Sequence, residues 1–122
     1  RIAKTLSLKK DNSCILIVTS GDVKIDNPKF KAAFEMKAKM PSADEVLSLT
    51  GHAPGGVCPF AVSGNIPVYL DISLKRFDTV FPACGSSNSA IELTCDELFR
   101  YSEAEKWIDV CKNKEKTAGE VI

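Results

Sequence analysis

The segment CILIVTS, residues 14–20, is the feature that most constrains the fold, because it is a nearly continuous apolar run without a charge. A run of this kind is typical of a β-strand that is buried on both faces. The preceding residues 2–9 alternate between apolar and polar side chains, and the turn-forming residues 11–13 separate the two segments. The two segments are therefore predicted to form a β-hairpin.

The order of the other predicted elements disfavours a doubly wound parallel sheet. Asp26 or Asn27, followed by proline, marks the start of a first helix. A second helix begins at a Ser42–Glu45 capping box and ends at Gly51. Further strands are predicted at 66–71, 78–83 and 90–93. Two C-terminal helices are predicted to begin at the Thr94–Glu97 and Ser102–Glu105 capping boxes.

Strands and helices do not alternate in this order, so the predicted class is α+β, with a mixed, partly closed β-sheet or barrel and surrounding helices. A length of 122 residues, 44% of them hydrophobic, suits one globular domain spanning 1–122. The chain begins at Arg1 and enters a strand-like segment at once, so we expect that an N-terminal segment is lacking.

Charge and cysteine content narrow the functional classes. Sixteen basic and sixteen acidic side chains give a net charge of zero, which disfavours strong autonomous binding to DNA or RNA but leaves room for a local basic patch. The five cysteines are odd in number and show no CxxC pair, which indicates free thiols in a reducing compartment. We therefore expect a cytoplasmic protein, with neither DNA nor a membrane as partner.

The loop GHAPGGVCPF, residues 51–60, combines three glycines, two prolines, the single histidine and a cysteine. It does not fit a nucleotide-binding P-loop, because its glycines follow a predicted helix and precede a strand. A metal site is poorly supported, since His52 and Cys58 lack further ligands nearby in the sequence. Cys58 and His52 could instead act as nucleophile and base, although cysteine is often a small buried hydrophobe.

Other polar residues allow two interpretations each. Lys4 lies in the alternating strand. It is either a solvated lysine on the outer face or an ammonium donor that projects into a pocket. Asp71 ends a strand before a turn, which is common for aspartate. The loop at 85–89 could present amide groups to a ligand or could turn the chain.

Three stretches together resemble the YbaK/ProRS-associated domain family of aminoacyl-tRNA deacylases. AKTLSLK resembles the family's first strand, whose functional lysine corresponds to Lys4. TGHAPGGVCPF resembles its glycine-rich loop, with the Gly-x-x-x-Pro element running from Gly55 to Pro59. PVYLDISL, followed by TVFPACGSSNSAIEL, resembles the strand–Asp–strand–Gly loop that completes the domain.

The resemblance implies hydrolysis of the ester that links a wrong amino acid to the 3′ end of a tRNA, typically cysteine or alanine on tRNA for proline. A second pocket of this kind removes products that a synthetase cannot reject by binding alone. The implied partners are aminoacyl-tRNA and prolyl-tRNA synthetase, with no cofactor and no metal. The alternatives are a non-catalytic regulatory member that binds tRNA or a synthetase, and a thiol hydrolase that depends on Cys58.

The resemblance also assigns the site. The residues implied in catalysis are Lys4, Gly55, Gly56 and Pro59. The residues implied in substrate binding are Thr5, Val57, Cys58, Phe60, Asp71, Gly85 and Ser86. In the branch that acts on cysteine the substrate's own thiol is the implied nucleophile, so His52 and Cys58 become bystanders.

Overall fold

The computed structural model of the protein describes residues 2–10, 13–42, 44, 66–82 and 92–113. The strands in these residues are β1 (Ile2–Lys10), β2 (Ser13–Ser20), β3 (Val23–Ile25), β4 (Val68–Asp71), β5 (Thr79–Pro82), β6 (Leu93–Thr94), β7 (Trp107–Ile108) and β8 (Cys111–Asn113). The helices whose bounds are described are α1 (Asn27–Phe34), α2 (Cys95–Tyr101) and the 3-10 helix η1 (Ile72–Arg76). None of the described helices is long and apolar enough to cross a membrane.

Six strands form one mixed sheet in the order β6-β5-β1-β2-β4-β7. The antiparallel β1–β2 hairpin lies at its centre, in a register that runs from Ala3 opposite Ser20 to Lys10 opposite Ser13. Strand β5 is parallel to β1, and β4 is parallel to β2 and to β7. The sheet curls into a half-barrel, and β3 pairs with β8 in a separate antiparallel ribbon. The predicted hairpin and the predicted mixed, partly closed sheet are confirmed.

Both faces of the sheet are covered by apolar residues. Successive side chains of β2 point to opposite faces, as in any strand, so this one segment contributes to both sides of the core. The α2-side core contains Leu16, Val18, Leu74 and Leu98, and the α1-side core contains Ile15, Ile17, Phe30 and Val110. Burial of β2 on both faces explains why its sequence is an uninterrupted apolar run.

The helix starts agree with the capping residues in the sequence. Asp26 accepts a hydrogen bond from the amide of Lys29 at 3.1 Å, and Pro28 lies in the first turn of α1. Helix α1 ends at Glu35, which adopts a left-handed conformation with φ of 57°. Both hydrogen bonds of the Thr94–Glu97 capping box are present at the start of α2. These predicted starts are confirmed.

The predicted second C-terminal helix is wrong. The chain ends α2 at Ser102, and Glu103 has a φ of 54°, which interrupts helical geometry. It then joins the six-stranded sheet as β7 and the separate β3–β8 ribbon as β8. The helix predicted from residue 42 to residue 51 lies outside the described residues, apart from positions 42 and 44.

Hydrogen bonding along β4 explains this correction. The amide of Glu105 donates to the carbonyl of Val68 at 2.7 Å, and the amide of Leu70 donates to the carbonyl of Lys106 at 3.2 Å. Buried Ile108 and Val110 flank exposed Asp109, which is the two-residue alternation of an extended chain. The edge of β4 that faces away from β2 thus supplies hydrogen-bond partners for the segment before and within β7, which the local capping signal could not reveal.

Asp71 connects three parts of the fold. Its side chain is buried, with 1% of its surface exposed. One carboxylate oxygen accepts from the amide of Ser73 at 2.9 Å and caps η1, while the other accepts from the amide of Val110 at 2.9 Å. Hydrogen bonds to a carboxylate are among the stronger ones in proteins. Asp71 therefore holds the segment between β7 and β8 against the end of β4.

We predict that Asp71→Ala lowers the free energy of unfolding by about 2–4 kcal/mol, because two amides lose their acceptor. Urea unfolding followed by circular dichroism measures this loss. Asp71→Asn, which keeps one acceptor oxygen, is expected to lose less. Asp78→Ala at an exposed position is the matched control, and an equal loss in Asp78→Ala and Asp71→Ala would contradict the assignment.

Candidate active site

Polar side chains form a row across the α1-side face of the sheet. Lys4 in β1 lies opposite Thr19 in β2. The pairing of Val18 with Leu70 continues in register to place Thr19 beside Asp71, and Asp71 in turn lies beside Ile108. Residues in register share a face of the sheet, so Lys4, Thr19 and Asp71 lie on the same side.

Lys4 is held at one end of this row. Its side chain is half-buried, and Nζ donates a hydrogen bond to the carbonyl oxygen of Val23 at 2.6 Å. Val23 lies in β3 and is itself buried. The contact joins the sheet to the β3–β8 ribbon and fixes the position of a positive charge beside the α1-side core.

Cys111 in β8 adds a thiol to the same neighbourhood. Burial is the main cause that raises the pKa of Cys111 far above its ordinary value, and the charge and hydrogen bond of Asp71 raise it further. The positive charge of Lys4 opposes this effect. Cys111 is therefore a neutral thiol, a poor nucleophile at neutral pH. The sequence did not predict this place, because the Ser102–Glu105 capping box favoured a helix over this segment. The alternation of buried Ile108 and Val110 with exposed Asp109 was the available signal.

A groove of about 440 Å³ opens next to Asp71 and Cys111, between η1, β3 and β8. On one side Lys29 donates to Asp109 at 3.1 Å and to the carbonyl of Cys111 at 3.1 Å. The hydrogen bond with Asp109 is the main cause of a raised pKa of Lys29. This pair is solvent-exposed, so it defines the rim of the groove more than it stabilises the fold.

Arg76 forms the opposite side of the groove. Its guanidinium donates to a carboxylate oxygen of Asp22 and to Oγ of Ser20, the latter at 3.0 Å. The amide of Ser20 donates to Oγ of Ser73 at 3.1 Å. This network joins the end of β2 to η1. The hydrogen bond from Arg76, followed by that from Ser20, lowers the pKa of Asp22 to about 2.

Thr5 lies on the other face of the sheet from Lys4, since neighbouring residues in a strand point in opposite directions. It is paired with Val18 of the α2-side core. Its Oγ1 atom is buried and has no hydrogen-bond partner among the described residues. The structure therefore does not bring Thr5 together with Lys4.

Of the residues proposed from the sequence, the structure brings Lys4 and Asp71 onto one face. Thr5 lies on the opposite face, and the remaining proposed residues lie outside the described part of the chain; these are Gly55, Gly56, Val57, Cys58, Pro59, Phe60, Gly85 and Ser86, together with His52. In the part of the chain that is described, no three side chains of histidine, cysteine, aspartate or glutamate lie close enough to hold a metal ion.

The described strands and helices form an α+β fold with a curled, half-barrel sheet, and comparison with known proteins identifies the family. Residues 1–101 match the family model of the aminoacyl-tRNA editing domain. This match spans most of the chain, so the protein belongs to the aminoacyl-tRNA editing domain family. The resemblance read from the sequence is thereby confirmed at the level of the family.

Individual relatives agree with this placement. The chain is 59% identical over 116 residues to YwhH of Bacillus subtilis (strain 168), covering 94% of this chain and 74% of that protein. It is 30% identical over 73 residues to a proline–tRNA ligase of Bacillus licheniformis, covering 59% of this chain and 13% of the ligase. A solved structure of a candidate trans-editing enzyme for prolyl tRNA synthetase superposes with a TM-score of 0.81 at 28% identity, covering 92% of this chain and 71% of that one.

We predict that Asp22 contributes to the acid sensitivity of the fold. Its pKa is lowered from 3.8 to about 2, so the stabilisation from its ionised form is complete above pH 3.8 and is lost as the pH falls towards 2. Asp22→Asn should flatten the fall of unfolding free energy in this window. Urea midpoints at a series of pH values measure it, with Asp78→Asn as control. Parallel pH curves for wild type and Asp22→Asn would contradict the prediction.

Proposed function

We propose that the protein is an aminoacyl-tRNA deacylase, which hydrolyses the ester between a wrong amino acid and the 3′ end of a tRNA. Membership in the editing-domain family supports this reaction. Similarity to proline–tRNA ligases supports tRNA for proline as the substrate. Cysteine and alanine are the amino acids proposed from the resemblance to the family. The proposed partners are therefore aminoacyl-tRNA and prolyl-tRNA synthetase, and the proposed compartment is the cytoplasm, where translation takes place.

The observation that carries the proposal is the placement of Lys4. Its ammonium group is anchored by the carbonyl of Val23 at 2.6 Å and is half-buried, so its position is defined before a substrate arrives. A preorganised positive charge stabilises negative charge that develops on an ester oxygen, and it also binds a phosphate. We propose that Lys4 contacts the ester or the terminal nucleotide of the tRNA.

The proposed reaction needs no nucleophilic side chain. A water molecule attacks the ester carbonyl carbon, the bond to the ribose oxygen breaks, and that oxygen leaves with a proton as the 3′-terminal hydroxyl group. When the amino acid is cysteine, its own thiol can instead attack the carbonyl carbon and expel the ribose oxygen, which takes up a proton. Water then opens the resulting cyclic thioester and releases cysteine. The thiol of Cys111 fits this scheme as a bystander, because burial and Asp71 raise its pKa.

Other residues have supporting roles in this proposal. The backbone between Gly55 and Pro59, including Gly56, is proposed to hold the ester carbonyl, and the resemblance to the family is the support for that role. Asp71 is proposed to shape the substrate site, since both of its carboxylate oxygens accept hydrogen bonds from backbone amides. The remaining substrate-binding proposals, which rest on the resemblance, are Thr5, Val57, Cys58, Phe60, Gly85 and Ser86.

Deacylation of cysteinyl- and alanyl-tRNA for proline tests the function directly. Loss of one preorganised donor is expected to slow release of the amino acid by about 100-fold or more in Lys4→Ala. Lys4→Met, which keeps the length of the side chain without its charge, is expected to be equally slow. Lys106→Ala removes an exposed lysine as a matched control and should react like wild type.

The outcomes separate the competing functions. If wild type leaves every ester with its lifetime in buffer but binds tRNA, the protein is a non-catalytic member of the family and the proposed reaction is wrong. Full activity in Cys58→Ser excludes the thiol hydrolase. Circular dichroism of both Lys4 variants shows whether a loss of rate comes from unfolding instead of from the missing ammonium group.

A further inference from the structure

The net charge of zero conceals two oppositely charged parts of the chain. Residues 1–40 contain nine lysine and arginine residues but four aspartate and glutamate residues. Residues 41–122 contain seven basic and twelve acidic residues. A protein with this distribution can bind a polyanion on one side and repel it from the other, whatever its total charge.

Five of the N-terminal lysines lie around the end of β1 and α1, with Lys9 and Lys10 on opposite faces of their strand. Two lie at the end of β1, one lies in the last turn of α1 and two lie in the segment that follows α1. The amide of Lys9 donates to the carbonyl of Lys39 at 2.8 Å, which holds that segment beside β1. We call this group the lysine surface, and its members are Lys9, Lys10, Lys31, Lys37 and Lys39.

Two grooves open within the lysine surface and share Lys37. The first has a volume of about 460 Å³ and also contacts Lys31. The second has a volume of about 450 Å³ and is lined by Lys9 and Lys39 as well. Lysines therefore line two concave surfaces that can bind phosphate groups.

Three members of the lysine surface carry charges that form no described ion pair. Lys31, Lys37 and Lys39 are exposed, and none of them forms a salt bridge with another described residue. Glu35 is the one acidic residue in the stretch 27–42. Nζ of Lys10 lies 6.0 Å from the centre of the Phe34 ring, and this cation–π contact does not neutralise the positive charge of Lys10.

The position of the lysine surface relative to Lys4 indicates its partner. Lys4 and Lys10 lie on the same face of β1, six positions apart, which corresponds to about 20 Å at the rise of a β-strand. One strand of a nucleic acid duplex places a phosphate about every 3.4 Å along its axis, so this distance spans about six nucleotides. A tRNA whose 3′ end is at Lys4 and whose strand runs along β1 would therefore bring phosphates of its acceptor end to Lys10.

We infer that the lysine surface binds phosphates of the tRNA acceptor stem and so orients the 3′ end towards Lys4. This inference rests on the proposed function for the identity of the RNA. Lysine binds phosphate as a point charge without reading the base, so the contact serves any tRNA of the same shape.

Fluorescence anisotropy with uncharged tRNA for proline tests the surface without requiring activity. In Lys37→Ala/Lys39→Ala we expect the Kd to rise about tenfold or more at physiological salt, because two phosphate contacts are lost. The slope of log Kd against log salt should decrease by about 1.4–1.8. Arg100→Ala/Lys106→Ala removes two exposed positive charges from the acidic part and is expected to bind like wild type.

A kinetic comparison locates the contact on the stem. With mischarged tRNA, Lys37→Ala/Lys39→Ala should raise KM and leave kcat nearly unchanged. With an aminoacyl-adenosine, which has no stem, the variant and wild type should react at the same rate. Lys37→Glu/Lys39→Glu should weaken tRNA binding further, and equal urea midpoints show that the variants fold.

Each outcome decides a different question. The inference is overturned if Lys37→Ala/Lys39→Ala and Arg100→Ala/Lys106→Ala lose tRNA affinity equally, or if neither loses it. Normal tRNA binding by Lys37→Ala/Lys39→Ala together with lost retention on vesicles of anionic lipid also overturns it and assigns the surface to a membrane. If wild type hydrolyses no ester while tRNA binding still depends on Lys37 and Lys39, the proposed function fails and this inference stands.

Discussion

The register of the β1–β2 hairpin is the constraint on which the rest of the structure depends. It pairs Lys4 with Thr19 at the centre of a six-stranded sheet, and every other strand of that sheet is added outward from these two. A shift by one residue would exchange the faces of the sheet. It would place Lys4 on the α2-side face and send apolar residues of β1 to the wrong core. The apolar run of β2 can fill both cores in either register, so the alternation of apolar and polar residues in β1 selects the one observed.

Burial and charge on the α1-side face favour electrostatic chemistry over covalent chemistry there. Lys4 brings an anchored positive charge, whereas the thiol of Cys111 is kept protonated by burial and by Asp71. Exposed ion pairs border the neighbouring groove and contribute little to stability. The arrangement suits an ester, which is already labile and needs orientation and charge stabilisation more than a protein nucleophile.

The uneven distribution of charge provides a second proposed contact that orients the tRNA. Positive groups from β1, α1 and the following segment come together because the amide of Lys9 pairs with the carbonyl of Lys39. Two members of the lysine surface, Lys9 and Lys10, lie in the same strand as Lys4, so β1 connects the proposed reaction site to the proposed stem contact. The acidic part of the chain keeps the total charge at zero, which explains why bulk composition alone suggested weak RNA binding.

The sequence by itself determined the hairpin, the mixed sheet, the starts of α1 and α2, and the family, because each depends on local periodicity, capping residues or motif order. It did not determine the path after α2. The Ser102–Glu105 pattern favours a helix locally, but the open edge of β4 offers better hydrogen bonds, and Val110 is held by Asp71. Tertiary structure likewise decided on which face of the sheet Lys4 and Thr5 lie and which distant lysines cluster. Strand pairing and packing bring together residues that no local pattern relates.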